Sequence, residues 1–400
     1  MTTNTIPSLS TGEILSGLSS LCEQLAVGVA SNEAQRRLPY ESVEAVRRSG
    51  LTTLRVPERF GGPDASLPEL FGAIIAIAQA DPNLAQALRS HFGFVEGTRA
   101  RESEDDRARW LGEAMSGKLF GLAEAELGIN DPRQWRTTLL KDSSGDLRLN
   151  GRKYYSTGSL FADWIEVVAV NEQGTLSTFV VAADREGVEI VDDFDAMGQR
   201  ATASGTTIFS DVLVHPEEIL RARDFSEPDY PFTYYGGFYQ LYLASVTAGI
   251  AKNVFTDAAD YVRTRARTAN HSVAATASQD PYVLESVGEI GALAFAAESV
   301  VLRAAQSLQL ASLAPAGSDA VVVASIDVAK AQLVAARAAI EAGQRIFETG
   351  GASTTSNTLN FSRHWRNART VANHNPLAYK ARATGDYAIS GTPPPTNGYF

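Results

Sequence analysis

Apolar residues change their spacing twice along this chain, and that double switch limits the possible folds more than any single motif does. Through about residue 118 they return every three or four positions, as in Ile14, Leu18, Leu21, Leu25 and Val29, the stripe of an amphipathic helix. Ser66-Leu67-Pro68-Glu69 adds a capping-box spacing with proline inside the first turn, ahead of LFGAIIAIAQA. From residue 119 to about 215 the period falls towards two. LRLNGRKYYSTG, DWIEVVAV, LSTFVVAA and TTIFSDVLV alternate or are rich in β-branched and aromatic residues, with turn chemistry such as Ser143-Ser144-Gly145-Asp146 between them. A connection from Phe225 to Pro231 then returns the chain to helical spacing. Long helices are expected near 236–266, 281–312 and 318–349, followed by a loop and a shorter helix near 376–388. The expected class is α+β in three units: an N-terminal helical domain (1–118), a central β domain (119–226) and a C-terminal helical bundle (227–400) with an exposed tail at Thr392-Pro393-Pro394-Pro395.

Thr233 to Ala251 runs without a charge and is nearly long enough to span a bilayer. Tyr234, Tyr235, Tyr239, Gln240, Tyr242, Ser245 and Thr247 would place too many polar groups in hydrocarbon, so the run predicts a buried helix beside a pocket and no membrane span. Thirty-five Lys plus Arg against 46 Asp plus Glu leave a net charge of −11, with the basic residues scattered, which argues against nucleic acid as a partner. Cys22 is the only cysteine, so an internal disulfide framework, a cysteine-based zinc site and an iron–sulfur cluster are excluded. The opening MTTNTIPSLSTGEILSGLSS shows no basic segment followed by an apolar one, and a cytoplasmic protein is expected.

Short motifs remove several chemistries. The five histidines, His91, His215, His271, His364 and His374, form no HExxH and no helically spaced pair with a carboxylate, so no metal site is expected. The GxSxG elbow, GxGxxG and GxxxxGK[ST] are absent.

Longer strings say more. LPYESVEAVRRSGLTTLRVPERFGG is similar to a helix and P-E-x-x-G-G turn of the acyl-CoA dehydrogenases, LNGRKYYSTGSLFADWIEVVAV to their N-G-x-K-x-x-I-T-N-G-x-x-A-D strand pair, and MGQRATASGTTIFSDVLVHPEEIL to the G-x-R strand that follows. In this order and spacing they make the chain resemble the acyl-CoA dehydrogenase superfamily over essentially its whole length. The resemblance implies that fold, with a central β-barrel or sandwich and a C-terminal four-helix bundle, a flavin between the β domain and the bundle, and a homotetramer.

The chain departs from the dehydrogenases where their chemistry is done. Those enzymes need a carboxylate base for the α-proton of an acyl thioester. Its usual loop here reads Ala372-Asn373-His374-Asn375-Pro376, and its other location falls near Tyr239-Gln240, with no Asp or Glu from Pro231 to Phe255. SRHWRNARTVANHNPLAYK instead resembles the segment R-x-W-R-N-x-R-T-x-x-x-H-(D/N)-P-x-x-Y-K of the reduced-flavin-dependent, two-component monooxygenases related to dibenzothiophene monooxygenase. That branch implies FMNH2 supplied by a separate NAD(P)H:flavin reductase. It also implies O2 as co-substrate, a C4a-(hydro)peroxyflavin and transfer of one oxygen to a small apolar substrate, expected to be aromatic or heteroaromatic with sulfur or nitrogen. FAD is the alternative cofactor, because GGASTTSN at 350–357 resembles a family loop that touches the cofactor of a neighbouring subunit. The rival reading is an acyl-CoA dehydrogenase or flavin oxidase with a non-standard base such as Glu124 or Glu126.

By the same resemblance His374 takes the place of a flavin-facing histidine that donates a hydrogen bond and moves a proton, with a pKa near the working pH. His91 matches a second histidine, in SLGHLFGYHL, where this chain has NLAQALRSHF. Thr157 corresponds to a hydroxyl at the flavin N5/O4 edge and Phe194 to an aromatic that packs on the ring. Ser204 and Arg267 match phosphate-side residues, and Arg369 lies in the C-terminal signature as a further cofactor contact. An uncharged helix carrying Tyr235, Phe238, Tyr239 and Tyr242 is expected to form the substrate wall.

Overall fold

The computed structural model describes residues 9–224, 232–395 and 400. The expected connection from Phe225 to Pro231 lies outside them. Eight helices come first: α1 (Thr11–Ser16), α2 (Leu18–Ala26), α3 (Val29–Ala34), α4 (Tyr40–Arg48), α5 (Leu67–Ala80), α6 (Pro82–Ala87), α7 (Arg89–Arg99) and α8 (Glu104–Met115). The Ile14-to-Val29 stripe is broken into three of them, because Gly17 closes α1 and Gly28 sits at a left-handed φ before α3. The Ser66–Glu69 capping box forms as its spacing predicts and starts α5.

The strands are β1 (Phe120–Ala123), β2 (Thr138–Lys141), β3 (Leu147–Lys153), β4 (Trp164–Asn171), β5 (Leu176–Ala182), β6 (Val188–Val191), β7 (Thr206–Val214) and β8 (Ile219–Arg223). They form one sheet in the order β6-β7-β3-β2-β4-β5-β8, with β1 added parallel to β4. Its own core is small: Leu139, Leu149, Ile165, Val167, Phe179 and Val212 interdigitate on one face. On the opposite face of β5, Val180 packs with Phe94, Trp110 and Phe120, which joins sheet to α7 and α8.

The C-terminal unit holds α9 (Tyr234–Thr264), α10 (Pro281–Ala311), α11 (Asp319–Arg345), α12 (Ser362–Ala372) and α13 (Leu377–Ser390). Helices α9, α10 and α11 pack side by side, and α5 lies against α9, so a single apolar core runs from Leu70, Phe71 and Ile74 into Phe238, Leu241 and Val246. Against the expected 318–349, α11 gives way after Arg345 to a 3₁₀ turn, Ile346–Thr349. Where a loop is expected before the last helix, α12 forms. The first half of its buried face is polar, which obscures any apolar periodicity: Arg363 and His364 pair with Asp257 of α9, and Arg366 reaches Glu33 at 2.6 Å, while Ala368, Val371 and Ala372 are buried further along. Asn367 Oδ1 accepts the Gln199 N–H at 2.6 Å, which ties α12 to the β domain as well.

The uncharged half of α9 is almost wholly buried, and no helix among the described residues is long and apolar enough to cross a membrane. Two glycines of α7 admit its tyrosines. A Cβ on Gly93 would lie 2.1 Å from the Tyr239 hydroxyl oxygen, and one on Gly97 would lie 2.7 Å from that of Tyr235.

Candidate active site

Between β3 and β4 the chain turns through Tyr154-Tyr155-Ser156-Thr157-Gly158. This turn is held from two sides. Ser156 N–H donates to Gly205 O and Gly158 N–H to Thr202 O, each at 3.1 Å, and the Ser90 hydroxyl at the start of α7 donates to Thr157 O at 3.0 Å. Beside it opens a cavity of about 590 Å³, within the usual range for small-molecule and cofactor sites. All three units contribute: Gln86 and Arg89 from the N-terminal helices, Glu124, Thr157, Phe194 and Ser204 from the β domain, Tyr239 and His374 from the C-terminal unit.

One wall is a run of hydroxyls. Ser204 donates to Thr157 Oγ1 at 3.0 Å, Thr157 donates to Tyr155 O at 3.3 Å, and Thr202 Oγ1 lies 2.8 Å from Ser204 Oγ. The backbone here is bent into unusual conformations. Among the described residues seven non-glycine positions have left-handed φ, and Tyr155 (62°), Gln199 (55°) and Ala203 (52°) cluster at this wall, where strain costs about 1–3 kcal/mol each. Phe194, whose carbonyl accepts from Arg36 at 3.2 Å, closes the same side. Both amide atoms of Gln199, Gln86 Oε1 and Thr370 Oγ1 are buried at the cavity without a protein partner. A ligand with several polar edges would satisfy them, since a buried unpaired polar atom costs about 1–3 kcal/mol.

The opposite wall carries charge. Arg89 Nη2 lies 3.0 Å from His374 Nε2, and the guanidinium carbon is 5.4 Å from the Tyr239 ring centroid. Burial, then Arg89, push the His374 imidazole down to about 3, so it is neutral near pH 7 rather than poised to titrate there. Asn375 Nδ2 donates to Gln240 Oε1 at 2.6 Å behind the ring.

The residues expected at one site therefore separate. Thr157, Phe194, Ser204, Tyr239 and His374 line the cavity together. His91 does not: it is buried between Phe92 and Phe120, its Nε2 2.8 Å from Thr52 O, and burial holds its imidazole down at about 4. Of the aromatic helix only Tyr239 reaches the space. Phe238 packs on Phe71 at 5.3 Å, Tyr242 donates to Ala85 O and Tyr235 to Gly93 O, each at 2.8 Å, so their hydroxyls are spent on α6 and α7. Arg369 pairs with Asn373, itself a cavity residue. Arg267 lies elsewhere, in a second cavity with His271, Arg345, Gly350 and Gly351. Glu124 reaches the first cavity, whereas Glu126 is taken up by Lys153 at 3.3 Å and by the Arg136 and Thr137 N–H groups.

Sequence reasoning passed over Arg89, Gln86 and Gln199. The first two lie in NLAQALRSHF, and pairing that string position by position with SLGHLFGYHL sets Gln86 against the pattern's other histidine, a signal that was available. Gln199 gives none, since only its left-handed backbone turns it inward.

Matches to known proteins cover the same architecture. The acyl-CoA dehydrogenase N-terminal, middle and C-terminal domains match residues 19–118, 120–212 and 241–379. Dibenzothiophene monooxygenase of Mycolicibacterium goodii is 31% identical over 88% of this chain and 87% of its own. The chain belongs to the acyl-CoA dehydrogenase superfamily, in its dibenzothiophene monooxygenase-like group. A probable FMNH2-dependent monooxygenase of Pseudomonas putida, SfnC, is 28% identical over 95% of both chains. The crystal structure of TdsC from Paenibacillus sp. A11-2 with FMN and indole superposes with a TM-score of 0.88 at 30% identity, covering 97% of this chain and 99% of that one. For a member of this superfamily the first cavity has what a flavin requires: an aromatic wall at Phe194, hydroxyls at Thr157 and Ser204, and the unpaired amide of Gln199.

Proposed function

We propose that the chain is the oxygenase of a two-component, FMNH2-dependent monooxygenase system, acting on a small aromatic or heteroaromatic substrate that contains sulfur or nitrogen. The observation that carries this reading is the first cavity, where Thr157, Ser204, Phe194 and His374 converge and the dehydrogenase base loop holds Asn373-His374-Asn375 instead of a carboxylate. Reduced FMN, when bound, supplies the activation of O2 and the transfer of one oxygen atom. The chain's own contribution is position and polarity. Thr157 and Ser204 offer hydroxyls to the ring edge, Phe194 offers a stacking face, and Tyr239 with His374 bounds the space left for substrate. Reduced flavin comes from a separate NAD(P)H:flavin reductase, in keeping with a chain that lacks a dinucleotide fingerprint.

We extend the proposal to a homotetramer in which a neighbouring copy brings its Arg267 and Gly350-Gly351 region to the cofactor's phosphate end. This extension draws on Phe295 and Leu310, large apolar side chains of α10 that are 74% and 67% exposed. Light scattering should give four chains per particle, and Phe295→Asp should lower that number.

The test of the main reading is to supply photoreduced FMN and ¹⁸O2 with dibenzothiophene or indole and to follow product by mass spectrometry. One labelled oxygen in the product is expected; hydrogen peroxide as the sole fate of O2 across a panel of such substrates would overturn it. Glu124 at the cavity favours one second reading, a dehydrogenase that uses it as base. Anaerobic bleaching of oxidised flavin by an acyl-CoA would establish that reading and remove the first.

A further inference from the structure

The contact between Arg89 and His374 fixes where a proton sits. A guanidinium carries five N–H donors and no acceptor, and it keeps its charge at any working pH. At 3.0 Å from Arg89 Nη2, His374 Nε2 can therefore only accept. The imidazole proton is then on Nδ1. Asn375 is the ring's other side-chain hydrogen-bond partner. With the proton on Nδ1 the ring can only donate there, so Asn375 receives it on Oδ1, while Asn375 Nδ2 donates to Gln240 Oε1 at 2.6 Å. The ring is thus bracketed, with a donor on one side and an acceptor on the other.

We propose that Arg89, not His374, is the hydrogen-bond-donating cation of this cavity, and that His374 is the positioning residue that aims it. One guanidinium N–H is held by Nε2, and the side chain borders the cavity, braced over the Tyr239 ring. A second positive charge beside it is disfavoured from several directions. The ring is buried, Arg89 faces it from α7, Lys380 from α13 adds to the repulsion, and Asn375 alone favours the charged form. An imidazole so placed carries no proton on Nε2 near neutral pH and donates its Nδ1–H to Asn375, whereas a guanidinium keeps its donors at every working pH.

The role of Arg89 in turnover, stabilising negative charge that develops on the oxygen being transferred, rests on the oxygenase reading. The tautomer of His374 does not, and it can be measured without flavin. Long-range ¹H–¹⁵N correlation of the full chain labelled in histidine, with His374 assigned from the signal lost in His374→Asn, reports which nitrogen is protonated. The Nδ1–H pattern is expected in the wild type and in Arg89→Lys. In Arg89→Leu the two tautomers should mix and the titration midpoint of His374 should rise. An Nε2–H pattern in the wild type, or a His374 signal unchanged in Arg89→Leu, would overturn the proposal. Turnover gives a second reading. Arg89→Leu should lower product formed per O2 consumed by about 100-fold, His374→Asn by about 10-fold, and Arg89→Lys should recover part of the loss. A larger loss in His374→Asn than in Arg89→Leu would return the donor role to the histidine. If no variant, nor the wild type, makes product, the oxygenase reading fails while the tautomer result stands.

Discussion

Two cavities of nearly equal size, about 590 and about 560 Å³, divide the residues that resemblance assigned to one cofactor. The first is built from all three units and carries buried polar atoms that the protein leaves unpaired. The second belongs to the C-terminal unit alone, between the loop after α9, the start of α10 and Gly350-Gly351, and its Arg267 is exposed. A cavity with unpaired groups at its wall is prepared for a ligand by its own chain. A cavity with an exposed arginine at its rim has charge to offer outward. Within one chain Ser204 and Arg267 do not meet, so a phosphate that used both would need a second copy to supply one of them.

The sharpest way to separate the two cavities is to damage the first. Thr157→Val with Ser204→Ala removes two hydroxyls and should weaken FMNH2 binding about 100-fold, at about 1.4 kcal/mol per hydrogen bond. Unchanged affinity in equilibrium titration would mean that the hydroxyl wall does not face the flavin. Arg267→Ala tests the second cavity. A charge-assisted phosphate contact is worth about 1.5–3 kcal/mol, so affinity should fall about tenfold or more if a neighbour's arginine completes the site. Wild-type affinity would leave the second cavity unconnected to the cofactor.

Three histidines, of which His374 lines the first cavity, give the chain an acid signature. His91, His364 and His374 are pushed from 6.5 down to about 4, about 4 and about 3, chiefly by burial. Between these values the unfolded chain binds more protons than the folded one. Their contribution is therefore intact above pH 6.5 and is lost as pH falls, at up to about 1.4 kcal/mol per unit for each histidine. Glu166, pushed up from 4.5 to about 7 by burial, works the other way from pH 7 downward and offsets one of the three. Urea midpoints should drop between pH 6.5 and 4.5, and a flat profile would show these histidines to be hydrated. The smallest effect is expected at His91, which touches neither cavity. His91→Leu should cost stability through the abandoned Thr52 carbonyl, about 1–3 kcal/mol, while kcat stays within about twofold; a large loss of kcat at unchanged stability would place it in the chemistry.

Much of the architecture was written in periodicity, because α5, α9, α10 and β3 to β7 bury apolar side chains at regular spacing. Helix α12 was not. Its buried face begins with Arg363, His364 and Asn367, ahead of Ala368, Val371 and Ala372, and the tertiary partners Asp257 and Gln199 are what make the polar part worth burying. The site was legible in the same uneven way. Thr157, Ser204 and His374 sit in strings that resemble the family's patterns, and all three line the first cavity. Phe238 and Tyr242 have the composition of a pocket wall, yet helical phase turns them towards α5 and α6, and composition does not specify phase. Arg89 depends on a contact across 285 positions of sequence, which no local pattern records.

The notch that Gly93 cuts in α7 has a practical consequence for anyone reshaping the pocket. Tyr239 stands with its hydroxyl in that notch and its ring beside the substrate space. Adding one methyl group at residue 93, which does not line the cavity, would force the Tyr239 ring to move and so reshape the chamber without substituting any residue that lines it. The volume of the cavity could thus be tuned from behind its wall, and because Arg89 rests over the same ring, the guanidinium would shift with it.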